Sequence, residues 1–326
     1  MPLRTLAEVL AAADAGGHAV GAFNVSDLLQ AEAVLEAASR SGSPVIVQTL
    51  AGVSPHGDEK LYWSLLRRTV DAYPDLDVVL HLDHGPDVAT CRRAVDAGFS
   101  SVMIDASLRP DRRTPASFDE NVATTTQVVA YAHAAGVSVE GELGTIGGGE
   151  GGDHAAEIVL ADPDQAVEFA SRTGVDALAV AVGTSHGAYK FTVRPTGNVL
   201  RQDLITEIHR RLPDTYLVLH GSSSLPDELR ARVNGAGGTL PESWGISDAE
   251  KVDAVRNGIR KINQGMDSHL AFAAAQREAM AAQPGVVDPA DALRAGRAAM
   301  ADIVDERIRL FRWGYPDRSA DHSREN

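Results

Sequence analysis

Short runs rich in β-branched residues alternate along the chain with longer stretches in which apolar residues recur every three or four positions. The short runs predict strands at 18–25, 44–49, 77–83, 101–106, 137–143, 177–183, 216–221 and 259–264. Helical periodicity covers 27–41, 59–73, 87–97, 115–135, 163–173 and 200–212. Asp27, Asp87 and the pair Asp162-Pro163 stand where an N-cap or a first-turn proline belongs. Glycines 98, 136 and 174 follow helices and suit left-handed caps ahead of the next strand.

Eight strands alternating with helices require a parallel sheet joined by right-handed crossovers. An open, doubly wound sheet normally places a glycine-rich phosphate loop after its first strand. Here GAFNVSD stands at that point, with no G-x-G-x-x-G. The expected fold is therefore α/β, a (β/α)8 or TIM barrel, as a single domain over 1–316 with C-terminal helices. Residues 317–326 read as a disordered tail. Two loops stand out: the glycine-rich 144–159 and the long excursion 222–247. Long loops in compact domains tend to be functional.

Barrel enzymes carry their chemistry at the carboxyl ends of the strands. Those ends read Asn24, Gln48, Asp83-His84, Asp105, Glu140 with Glu142, His186, His220 and Asn263. The run His81-Leu82-Asp83-His84 suits a metal ligand beside an acid/base group, and equally a buried imidazole bonded to a carbonyl. His186 and His220 shift that balance. Three imidazoles from strands three, six and seven converge on one mouth, the three-ligand form of a catalytic metal site. Cys91 is the only cysteine, so thiolate ligation is out and zinc or another divalent ion is indicated. Gly187 follows His186, Gly221 to Ser224 follow His220, and Lys190 lies nearby; such residues can cradle a phosphate or simply make loops. Glu150, inside a run of glycines, can swing over a substrate as a base or stand as a solvated loop acid.

Composition narrows the partners. The 326 residues carry a net charge of −15, which disfavours nucleic acid and anionic membranes as partners. No apolar stretch is long enough to span a bilayer. A single cysteine and a leader lacking the basic-then-apolar order of an export signal lead to the expectation of a cytoplasmic protein.

Taken together, GAFNV, HLDHG, SVMIDAS, VEGELG, AVGTSHGAYKFTVRPTG, LHGSSSLP and RKIN resemble the class II fructose-bisphosphate aldolase family, which includes the tagatose-bisphosphate aldolases. Similarity runs from Leu3 to Phe311, and GTSHGAYKF and LHGSSSLP look closest to the branch associated with the Calvin cycle and glycolysis. The resemblance implies a zinc ion on His84, His186 and His220, with Asp105 and Glu142 near an alternative metal position. It implies that Asp83 protonates the aldehyde oxygen during condensation and that Glu150 deprotonates the ketose phosphate. Asn263 corresponds to a residue that helps hold the enediolate, while Gly187, Lys190, Gly221 and Ser223 correspond to donors for the ketone-side phosphate. Asn24, at the end of the first strand, joins the substrate-binding set. The family further implies a homodimer or homotetramer, dihydroxyacetone phosphate as donor, and assistance from a monovalent cation (Na+ or K+).

Three departures fall in substrate recognition. Gln264-Gly265-Met266 stands where the family has an acidic or small residue followed by a phosphate-touching threonine. Leu50 replaces a serine, and Asp288-Pro289-Ala290 replaces an Asp-Pro-Arg whose arginine binds the distal phosphate in a neighbouring site. Arg294 is the nearest arginine beyond that gap. The alternatives are therefore an aldolase for a different, non-bisphosphorylated substrate or a non-catalytic binder of metal and sugar phosphate. A Schiff-base route would have to use Lys261.

Overall fold

The computed structural model describes residues 3–109, 111, 114–146, 158–185, 191 and 193–313. Strands β1 (Val20–Asn24), β2 (Val45–Thr49), β3 (Val78–Gly85), β4 (Ser101–Ile104), β5 (Ser138–Leu143), β6 (Ala177–Val180), β7 (Tyr216–Leu219) and β8 (Ile259–Gln264) close into a barrel in chain order. Every neighbouring pair is parallel, and β1 pairs with β8 to complete the ring. This is the (β/α)8 barrel that the hydrophobic pattern calls for.

Helix α1 (Leu6–Ala15) precedes the barrel and is capped reciprocally by Thr5 and Glu8. Helices α2 (Leu28–Ser41), α3 (Glu59–Asp71), α4 (Val88–Asp96), α5 (Phe118–Ala134), α6 (Pro163–Thr173) and α7 (Gln202–Arg211) occupy the expected stretches. Asp27, Asp87 and Asp162 cap α2, α4 and α6, each accepting a backbone N–H of the first turn. Gly98, Gly136 and Gly174 adopt positive φ, as expected. Two short helices lie between β7 and β8: α8 (Asp227–Gly235) falls inside the excursion 222–247, and α9 (Asp248–Arg256) follows it in a stretch for which the sequence suggested no element. Helices α10 (Met266–Ala282) and α11 (Ala290–Trp313) pack on each other, and α11 also packs on α2.

Strand alternation divides the apolar residues into two cores. Val45, Val47, Leu80, Leu82, Leu178 and Leu219 point outward into the layer beneath the helices. Val20, Ala22, Ile46, Val79, Met103, Ala179 and Val218 point inward, where Leu6, Val9, Leu10 and Ala13 of α1 seal the amino-terminal end of the barrel. On most strands the inward positions that follow toward the carboxyl end are polar, among them Asn24, Gln48, Asp83, Glu140 and His220. The chemistry of the barrel therefore gathers at one end.

Two irregularities shape that end. Between Leu82 and Gly85 the register of β3 against β4 advances by one extra residue, because Leu82 pairs with Val102 and Gly85 with Ile104. A regular strand would aim Asp83 and His84 to opposite faces; the bulge re-aims one of them. His84 takes φ +43, a left-handed conformation that is uncommon for a residue with a Cβ. A second shift in β8 passes over Arg260, so that Lys261 and Asn263 both lie in the polar interior.

Candidate active site

Asp83 is fully buried, and amides from neighbouring strands surround its carboxylate. Asn24 on β1 donates to Oδ2 at 2.7 Å, Gln48 on β2 donates to the same oxygen at 3.1 Å, and Asn263 on β8 donates to Oδ1 at 3.3 Å. Gln48 also donates to Asn24 Oδ1 at 2.9 Å, which fixes the orientation of that amide. These contacts follow directly from the barrel register, in which Asn24 sits beside Gln48, and Gln48 beside His81, two residues before Asp83.

His84 and His220 meet next to this carboxylate. His84 Nε2 and His220 Nδ1 are 2.9 Å apart, with their rings nearly perpendicular. The outer nitrogen of each ring faces a carboxylate: His84 Nδ1 lies 3.2 Å from Asp105, and His220 Nε2 lies 2.8 Å from Glu140. With those nitrogens donating to carboxylates, the inner two turn lone pairs toward a common point. That arrangement suits a cation. Ligand atoms of Asp83, His84 and His220 fall within 4.8 Å of one another, as do those of His84, Asp105 and Glu142. Mixed imidazole and carboxylate donors match the preferences of zinc and similar divalent ions.

Carboxylates and hydroxyls support these rings from behind. Ser107 bridges the alternative cluster, donating to Asp105 at 2.8 Å and lying 3.2 Å from Glu142. Glu140 is fully buried and joins His220 to Lys261, whose ammonium is 2.8 Å from its second oxygen. The amine of Lys261 is thus committed to an ion pair, which argues against Schiff-base chemistry. His81, grouped with His84 in the sequence, lies deeper: its Nδ1 is 2.8 Å from Ser101. Burial, reinforced by the charge of Lys261, holds His81 well below the usual imidazole range and keeps it neutral.

The loop after β7 carries Gly221 and Ser223, which the resemblance marks as candidate phosphate donors. Gly221 has φ +59, and a Cβ there would come within 2.6 Å of the carbonyl oxygen of Ser185. Only glycine lets the two loops approach so closely. Ser223 is buried, and its Oγ accepts from the backbone of Met266 at 3.2 Å. Of the residues singled out in the sequence, Asn24, Asp83, His84, Asp105, Glu142, His220 and Asn263 come together at this end. Glu150, His186, Gly187 and Lys190 lie outside the described residues. Sequence reasoning missed Ser107, the last residue of the SVMIDAS stretch, and the buried Lys251, to which no sequence signal pointed.

A sequence profile described as "Fructose-bisphosphate aldolase class-II" matches residues 4–313. The chain belongs to the class II fructose-bisphosphate aldolase family. It is similar to the fructose-bisphosphate aldolase of Nostoc commune, with 46% identity covering 95% of this chain and 89% of that protein. The fructose-bisphosphate aldolase of Stutzerimonas stutzeri is 44% identical over 95% of this chain and 91% of its own length. Among solved structures, the YdjI aldolase from Escherichia coli K12 superposes with TM-score 0.73 at 27% identity, covering 95% of this chain and 97% of that one. A putative fructose-1,6-biphosphate aldolase from Coccidioides immitis gives TM-score 0.74 at 25% identity, covering 94% and 95%. This member of the family is a metal-dependent aldolase, a carbon–carbon lyase. No helix among the described residues is long and apolar enough to cross a membrane.

Proposed function

We propose that the enzyme reversibly cleaves a ketose phosphate into dihydroxyacetone phosphate and an aldehyde, at a zinc site made by His84, His186 and His220. The observation that carries this reading is the Asp83 carboxylate, held by three amides beside the facing nitrogens of His84 and His220. A divalent ion bound there supplies Lewis acidity at the donor carbonyl, lowering the barrier to forming a carbanion beside it. In the cleavage direction Asp83 accepts the proton of the C4 hydroxyl, the C3–C4 bond breaks, and its electrons remain on the ketone-side fragment. Glu150 then returns a proton to that carbon. Condensation reverses each transfer, with Glu150 as base and Asp83 as acid. Asn263 steadies the ketone-side fragment, and Asn24, Gly187, Lys190, Gly221 and Ser223 orient the donor and its phosphate. Asp105 and Glu142 offer the metal a second resting position.

The acceptor is an aldehyde without a distal phosphate. This second reading is supported by Ala290, which has no donor side chain, and by Met266, whose thioether replaces a hydroxyl. Arg294 is exposed and paired with Asp291, on the same turn of α11. The reading extends to a homodimer or homotetramer, a monovalent cation and a cytoplasmic location, all supported by family resemblance. An acceptor screen with zinc-loaded enzyme and dihydroxyacetone phosphate tests both halves. Turnover with unphosphorylated aldehydes at kcat/KM above that with glyceraldehyde 3-phosphate is expected. Failure with every acceptor would remove the donor assignment, and a strong preference for the phosphorylated aldehyde would remove the acceptor assignment.

A further inference from the structure

Lys251 is completely buried, yet it lies on α9, outside the polar end of the barrel interior. Its ammonium donates to Ser224 Oγ at 2.5 Å and pairs with Asp248 at 2.9 Å. Ser224 Oγ in turn donates to Asp248 at 2.9 Å, and Arg307 from α11, also buried, reaches the same carboxylate oxygen. On the other side, the Asp267 carboxylate accepts the backbone N–H groups of Ser224 and Leu225 at 3.0 and 2.9 Å. Leu225 is held at φ +53, a conformation that leucine rarely adopts. The segment that begins at Gly221 is thus pinned from α9 and α10, while Arg307 of α11 braces Asp248. The first turn of α9 also governs the loop after β6, because Glu250 accepts the backbone N–H groups of Val199 and Leu200 at 2.7 and 3.2 Å.

We propose that Lys251 is a positioning residue for phosphate recognition, fixing through Ser224 the backbone that presents Gly221 and Ser223. The inference rests on the reading of those two residues as phosphate donors. Burying an ammonium is unfavourable against an apolar side chain of similar size, so a lysine here is a poor device for stability. What it does supply is a single geometry: by donating to Ser224 Oγ, it turns the hydroxyl proton toward Asp248 and locks the residue whose N–H meets Asp267. The strained conformation at Leu225 persists because surrounding contacts over-determine it.

Inorganic phosphate is the probe, measured as a competitive inhibitor of aldol cleavage in wild type, Lys251→Met, Lys251→Arg, Ser224→Ala and Ser223→Ala. For Lys251→Met and Ser224→Ala, the KM for the sugar phosphate and the Ki for phosphate should both rise about tenfold, with kcat within about threefold and bound metal per chain unchanged. Lys251→Arg should recover much of the loss. A lower melting temperature with unchanged KM and Ki would make the cluster purely structural and overturn the proposal. Should Lys251→Met fail to fold, Ser224→Ala decides alone by the same criterion. Inhibition of wild type that Ser223→Ala abolishes, but that the Lys251 and Ser224 variants retain, would sink only the positioning role. Absence of phosphate inhibition in wild type would sink the phosphate reading and this proposal with it.

Discussion

The Asp83 carboxylate is oriented by three carboxamides, side chains that donate to it and cannot themselves ionise. Asp83→Asn keeps the size and removes the proton acceptor. A fall in kcat of roughly a hundredfold to ten-thousandfold is expected, with metal content by elemental analysis unchanged. A kcat within tenfold of wild type would count against the assignment. Cys91 offers a contrasting case. Burial pushes its thiol up to about 12, so it should resist alkylation at pH 8 and react once per chain after denaturation. Because the folded thiol titrates above the unfolded one, its contribution to stability is complete below the unfolded value and declines as pH rises toward 12. Rapid labelling of the native enzyme at pH 8 would contradict this. Asp83, His84, His220 and Asn263 were legible because a reactive side chain at a strand end is conspicuous. Ser107 and Lys251 were not, because a hydroxyl has no chemical signature of its own and nothing in a string of letters shows that a lysine is buried.

At the scale of elements, the alternating pattern and the aspartate caps specified all eight strands and the six helices read from the sequence, since both depend on neighbours in the chain. The bulge in β3 was not legible. It depends on how β4 registers alongside, with Gly85 pressed against the Met103 carbonyl. A Cβ at position 85 would stand 2.5 Å from that oxygen and 2.6 Å from Cys91 Sγ. Gly85→Ala should therefore destabilise the fold by roughly 1–3 kcal/mol. Because the bulge aims His84, the same change should weaken metal retention under dialysis. A variant with wild-type melting temperature and wild-type metal content would show that the bulge tolerates the methyl group. Helices α8 and α9 escaped notice because the glycines and prolines around them read as loop, whereas the equally short α4 directly follows a strand and a clear aspartate cap.

Across the whole molecule, the apolar floor and the polar rim of the barrel have separate duties. Leu10 is wholly buried in the floor cluster and is remote in sequence and chemistry from every residue assigned to catalysis. Leu10→Ala should lower stability by about 2–5 kcal/mol, read as a reduced melting temperature, while KM and kcat of the folded fraction stay at wild-type values. A changed KM would mean that the floor and the rim are mechanically coupled. Metal should act on both properties. Chelation is expected to abolish turnover and lower the melting temperature, and added zinc to restore both; at a free concentration about a thousand times Kd, the stabilisation would approach roughly 4 kcal/mol. Retention of activity after exhaustive chelation would be incompatible with the family's chemistry.

The stopper formed by α1 has one last consequence. With Leu6, Val9, Leu10 and Ala13 closing the far end, the barrel is a cup and not a conduit. Donor, acceptor and product must share a single doorway, and whichever fragment sits deeper has to arrive before its partner and depart after it. Entry and exit are thereby tied to one end of the barrel, the end where its polar residues stand.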